Sequence, residues 1–142
     1  MEHRPFISVI IPVWNGARYL DACLNSILRQ SWQHFEIIIV DDGSRDATWN
    51  MLMHWKKQDA RIIPFHQENA GVSEARNTAM RHASGDYYRF VDVDDQLPPD
   101  SLEHLVRCAE KNQSDLVLAA YTEVLGTTRT VRDLGKCTDT VE

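Results

Sequence analysis

At 142 residues, with 43% hydrophobic and 25% charged content, the chain has the size and composition of one soluble globular domain. A formal net charge of -6 with both signs well mixed argues against nonspecific nucleic-acid binding. The 3 cysteines, Cys23, Cys108 and Cys137, form neither a disulfide framework nor a zinc pattern, and no apolar run approaches a membrane span.

Phe6 to Pro12, rich in Ile and Val, reads as a buried parallel strand ended by Asn15-Gly16. Tyr19, Leu20, Cys23, Leu24, Ile27 and Leu28 recur at helical spacing. Phe35 to Val40 is a second buried strand and runs into Asp41-Asp42-Gly43-Ser44. Gly43 suits a turn with positive φ, and Ser44 or Asp46 can cap the next helix, whose apolar stripe is Met51, Leu52 and Trp55. Arg61 to Phe65 is a shorter strand whose proline predicts an edge or a strand end. Ser73 is expected to cap a helix carrying Ala75, Ala79, Met80 and Ala83, with Gly71 allowing close backbone approach. The start of that helix favours an anion, and Arg76 can add a bond to a phosphate. A solvated arginine on an ordinary capped helix is the simpler reading of that segment taken by itself.

Gly85-Asp86 leads into Tyr87 to Val91, read as a buried strand, which stops at Asp92, Asp94 and Asp95. Pro98-Pro99 opens a helix with the stripe Leu102, Leu105, Val106 and Ala109, and Leu116 to Tyr121 reads as a further strand. From Gly126 onward the chain is polar, with too few apolar residues for an element of its own. Cys23 and Cys108 read as small core residues in a reduced, cytoplasmic setting. The 6 histidines show no ligand spacing and read as surface or packing residues.

Strands alternating with helices predict an α/β fold: a mostly parallel sheet, helices on both faces, right-handed crossovers. In such a sheet the carboxyl ends of the strands share one edge, where ligands bind. Asp41-Asp42 and Asp92-Asp94-Asp95 therefore meet along one crevice. Clustered carboxylates repel one another unless a cation lies among them or their pKa values rise. Mg²⁺ in particular shares its oxygen shell with substrate phosphates. Asp42 can accept an N–H from a pyrimidine ring, while the later acids can hold a ribose hydroxyl and a metal that stabilises a departing diphosphate. Plainer roles stand beside these: solvated acidic turns, Asp41 as a turn residue, Asp92 as an orienting neighbour.

Ser8 to Asn15, Leu24 to Gln30, Phe35 to Ser44, Asn69 to Asn77 and Gly85 to Asp95 arrive in an order and spacing that resemble a known family. Over about residues 6 to 121 the chain resembles the nucleotide-sugar-binding half of a family 2 glycosyltransferase with the Rossmann-like GT-A fold. The resemblance implies inverting transfer from a UDP-sugar to a saccharide or lipid-linked acceptor, with Mn²⁺ or Mg²⁺, in polysaccharide synthesis for the cell envelope. It implies that Pro12 and Asp42 contact uracil and that Arg76 faces the phosphates. Asp92 opens a DxD-like signature, and Asp94 and Asp95 bear on ribose and metal. Trp14 stands where a tyrosine is expected.

The family's base is an acid of the acceptor-binding half, expected beyond Glu142. The chain is therefore expected to be truncated: a donor-binding domain over 1–125 and a polar tail over 126–142 leading toward that half. Exposed apolar surface after Tyr121, and with it self-association, follows from that division. The expected location is the cytoplasm, with peripheral attachment at the inner face of the membrane left open. One alternative is a nucleotide-sugar-binding fragment without transfer activity. Another is a haloacid-dehalogenase-like phosphatase, whose nucleophile motif Asp92-Val-Asp94 superficially matches. That motif normally opens its domain, Gln96 departs from it, and no late lysine and acid pair follows.

Overall fold

A computed structural model of the chain describes residues 3–132. The chain divides into two compact units, Met1–Glu103 and His104–Glu142.

In the first unit β1 (Ile7–Val13) and β2 (Phe35–Asp42) are buried along their whole lengths. They pair in parallel, Ile10 opposite Ile38, with β3 (Ile62–Gln67) beyond β2 and β4 (Tyr87–Phe90) beyond β1. The strand order is β3-β2-β1-β4. Pro64 lies on the outer strand β3, where its missing N–H leaves no ladder bond unmade.

The order reverses direction at β1. Steps from β1 to β2 to β3 run one way, and the step to β4 crosses back. With right-handed crossovers this puts α1 (Ala17–Leu28) and α2 (Thr48–Gln58) on one face and α3 (Val72–His82) on the other. Side-chain contacts agree. Ala75 and Ala79 of α3 form one core cluster with Ile10, Ile38 and Val40. On the opposite face Trp49 of α2 lies against His66 of β3, ring centroids 5.2 Å apart. Leu20, Cys23, Leu24, Ile27 and Leu52 are fully buried. Each such aliphatic side chain contributes roughly 1.5–3 kcal/mol, so two covered faces explain why β1 and β2 read as unbroken apolar runs. The carboxyl ends of β1 and β4 flank the point where strand order reverses, the position that opens a crevice.

The strand expected to be buried, Tyr87 to Val91, is not. β4 is an outer strand among the described residues, with Tyr88 46% and Phe90 44% exposed, and only Val91 after it is buried. One paired edge and a partly covered face account for this. Ser73 does not cap α3 either: Gly71 holds the cap position with φ 96°, and Ser73 lies inside the helix. Ala47 holds the cap position of α2, and Asp46, one residue before it, accepts Thr48 N–H at 3.0 Å and also Ala17 N–H at 3.2 Å, so it serves the first turns of α2 and α1 together. Ser44 instead accepts Asn15 N–H at 2.8 Å.

The second unit contains most of α4 (Ser101–Asn112) and a hairpin of β5 (Tyr121–Leu125) with β6 (Thr128–Arg132). Of the predicted stripe, Leu102, Val106 and Ala109 are buried and Leu105 is half-buried, and the two prolines precede α4. The expected strand over Leu116 to Tyr121 is displaced: residues 116–120 carry no regular structure and pairing begins at Tyr121. The polar stretch after Gly126 also forms a strand. Gly126, at φ 60°, turns the chain, and β-branched Thr128, Thr130 and Val131 suit an extended backbone without needing burial. Tyr121, Val124, Leu125 and Val131 are exposed, the apolar surface expected there. Cys137 lies outside the described residues.

Candidate functional site

The end of β2 is built by register. Asp41 lies opposite His66 and Asp42 opposite Gln67. Partners in register project to the same face, so each acid meets its neighbour. Asp41, wholly buried on the α2 face, accepts from the His66 Nδ1 position at 2.9 Å and from Ser44 N–H at 3.1 Å. It is a turn residue, as its plainer reading holds, and His66 secures it.

Asp42 turns to the α3 face. Its Oδ1 accepts from Gln67 Nε2 at 2.8 Å and from Ala70 N–H at 2.8 Å, and its Oδ2 accepts Gly71 N–H at 2.9 Å. Asn69 Nδ2 donates to the Asp42 carbonyl at 3.0 Å. The anion served by the N–H groups leading into α3 is thus a carboxylate of the protein itself. Gly43, at φ 74°, permits this approach: a Cβ there would lie 2.8 Å from Asn69 N.

A cavity of about 320 Å³ opens beside Asp42, lined among others by Pro12, Trp14, Asn69, Gly71 and Ala75. Trp14 is 58% exposed, so an aromatic face is presented at the rim. Pro12 and Asp42, assigned from sequence to one base-binding place, line this one cavity. Gln67 and Asn69 were not singled out from sequence. The signal for Gln67 was available in the equal spacing of two strand ends, which sets it beside Asp42.

The second acidic end follows β4. Asp95 N–H bonds to the Asp92 carbonyl at 2.9 Å, closing a tight turn. Arg76 Nη2 reaches across from α3 to Asp92 Oδ1 at 2.8 Å. Partial burial and the charges of Asp94 and Asp92 push the Asp95 carboxyl above the usual carboxylate range. Beneath the turn, Cys23 Sγ donates to the Asp92 carbonyl at 3.8 Å, and burial together with the three carboxylates raises its thiol to about 12. Arg89 of β4 lies within electrostatic reach of Asp95, and its Nε, like that of Arg76, is buried with no partner among the described residues.

No group of three or more His, Cys, Asp or Glu side chains is placed to hold a metal ion among the described residues. Asp92 is engaged by Arg76, which leaves Asp94 and Asp95. Two neighbouring carboxylates, their repulsion only partly offset by Arg89, fit a hard cation that completes its shell with substrate oxygens, rather than one caged by protein. No helix among the described residues is long and apolar enough to cross a membrane.

The model for glycosyl transferase family 2 matches residues 8–135. Glycosyltransferase GlyA of Streptococcus pneumoniae serotype 4 is 42% identical over 115 residues, 81% of this chain and 16% of that protein. The crystal structure of S. aureus TarS 1-349 in complex with UDP-GlcNAc superposes with a TM-score of 0.71 at 29% identity, covering 77% of this chain and 32% of that one. The mannosyltransferase PcManGT from Pyrobaculum calidifontis, in complex with GDP-Man and Mn²⁺, gives a TM-score of 0.67 at 29% identity over 75% of this chain and 33% of that one. The chain thus spans a third or less of the length of each of these proteins. An α/β sheet of this order, with its acids at the carboxyl edge and a family match running from β1 past β6, establishes that the chain belongs to glycosyl transferase family 2 and carries the GT-A fold.

Proposed function

We propose that the chain is the donor-binding part of an inverting glycosyltransferase that takes a UDP-sugar with Mn²⁺ or Mg²⁺. The observation that carries this reading is the cavity at the ends of β1 and β2 with Asp42 in its wall. Pro12, Trp14 and Asp42 receive the base. Asp92 and Asp94 serve the ribose side, and Arg76 exchanges Asp92 for a phosphate when the donor arrives. Asp94 and Asp95 hold the cation, which supplies charge neutralisation for the departing diphosphate. The UDP-GlcNAc of the TarS complex and the GDP-Man with Mn²⁺ of the PcManGT complex support a nucleotide-sugar donor and a divalent cation.

Inverting transfer also needs a base beside the acceptor hydroxyl. Asp41 is buried and held by internal donors, Asp42 is held by three donors with its remaining acceptor position assigned to the nucleobase, and carboxylates committed to a cation are poor proton acceptors. We therefore assign the base to the acceptor-binding half beyond Glu142, with 1–125 as the donor domain and 126–142 leading toward that half. A saccharide or lipid-linked acceptor in envelope polysaccharide synthesis, at the inner face of the membrane, completes the proposal. The family match leaves a phosphatase without support. A nucleotide-sugar-binding fragment without turnover is the second reading, favoured by the internal donors that already engage Asp41 and Asp42.

Calorimetric titration of the chain with UDP, in Mn²⁺ and in EDTA, tests the proposal. Binding in Mn²⁺ that is lost in EDTA is expected. Equal affinity in both would remove the cation's role, and no binding in either would remove the donor site. Release of UDP from UDP-sugars that depends on an acceptor, from this chain alone, would show that the base lies within it.

A further inference from the structure

Gln67 Nε2 donates to Asp42 Oδ1 at 2.8 Å, and its Oε1 accepts the Thr78 hydroxyl at 2.7 Å. Thr78 Oγ1 in turn accepts from Arg81 Nη2 at 2.9 Å. The direction of this chain is forced from both ends. Ionised Asp42 only accepts, so the amide must turn its NH₂ toward it. Oε1 then faces Thr78, whose single proton goes there. Arg81 only donates, so it occupies a lone pair of the hydroxyl and leaves the proton free for Gln67. A helical threonine commonly returns its hydroxyl to the carbonyl one turn back, but Thr78 directs its proton to Gln67.

The consequence falls on Asp42. Oδ1 carries Gln67 and Ala70, one for each lone pair, while Oδ2 carries only Gly71. One acceptor position is left on a carboxylate that lines the cavity. We infer that Gln67, oriented by Thr78, is a positioning residue that sets nucleobase preference, by leaving Asp42 a single acceptor for a single ring N–H. The inference rests on the proposed nucleotide site. Uracil offers such an N–H, whereas cytosine presents a lone pair at the corresponding ring position and is repelled. Without Gln67, Ala70 and Gly71 still hold the two oxygens from the loop, but Oδ1 regains a free lone pair that can accept from the exocyclic amine of cytosine.

The test is calorimetric measurement of UDP and CDP affinities for the full chain and for Gln67→Leu, Thr78→Val and Thr78→Ser. The unaltered protein should prefer UDP. Gln67→Leu and Thr78→Val should lower the UDP-over-CDP ratio by about fivefold or more, and Thr78→Ser should keep it. A merely structural role would weaken both nucleotides together and leave the ratio unchanged. Thermal melts identify folded variants, and the Thr78→Val and Thr78→Ser pair decides the matter if Gln67→Leu does not fold. An unchanged ratio in folded Thr78→Val overturns the inference alone. Failure of the unaltered protein to bind UDP, CDP or GDP overturns the nucleotide site and the inference with it.

Discussion

Arg76 and Asp92 are joined across the crevice by an ion pair of 2.8 Å, Nη2 to Oδ1, which ties α3 to the turn after β4. The side chains are 35% and 53% exposed, so the pair contributes little to stability, about 0–1 kcal/mol. Its interest is chemical: a guanidinium already held at the carboxylate edge can exchange one oxygen anion for another.

Arg76→Met should therefore leave the melting temperature nearly unchanged and weaken UDP binding roughly ten- to a hundredfold, the size of a lost charged hydrogen bond. Calorimetry beside a thermal melt checks both. A large loss of stability with intact binding would make Arg76 a structural residue only.

Asp95→Asn should act in opposite directions on stability and on cation binding. The native state holds the Asp95 proton more tightly than an unfolded chain does, because of partial burial and the charges of Asp94 and Asp92. Stability from this group is thus full below the ordinary carboxylate range and is lost as pH rises through the raised value. Asparagine removes that loss. Urea melts in EDTA should show a flatter decline for the variant from acid to neutral pH, with a small gain near neutrality because the site is well solvated. Mn²⁺-dependent UDP binding should weaken strongly in the same protein.

Asp42→Asn replaces an acceptor with an amide whose NH₂ must face one of three donors. One donor is left unmet, at a cost of about 1–3 kcal/mol. Denaturant melts should show that loss, and the preference for UDP over CDP should fall. Retained preference in the folded variant would move base reading to the backbone near Pro12.

Gly43→Ala combines a left-handed backbone, φ 74°, with a Cβ 2.8 Å from Asn69 N. About 1–3 kcal/mol of destabilisation is expected. Displacement of the Asn69–Gly71 loop should also weaken UDP binding. The two effects are read from a urea melt and a nucleotide titration of the same sample.

Local pattern determined a good deal about this protein. Unbroken Ile and Val runs identified β1 and β2 as buried on both faces, because only a doubly covered parallel sheet tolerates them. The alternation of strand and helix then placed Asp42 and the Asp92 to Asp95 turn on one edge, since carboxyl ends of parallel strands share an edge. Gly43 and Asp46 were legible for the same kind of reason, each serving a turn or cap within a few residues of itself.

Partnership was decided only in three dimensions. That Tyr87 to Phe90 ends as a half-exposed outer strand depends on which strands lie beside it. The sequence of β4 alone does not carry that information. That Arg76 faces Asp92 depends on the crossover returning over β1. That Gln67 and Thr78 converge on Asp42 depends on the register of β2 with β3 and on the helix that follows. Pattern reports the period of one element, whereas a hydrogen bond needs two elements at a set offset. The offset comes from packing the whole sheet.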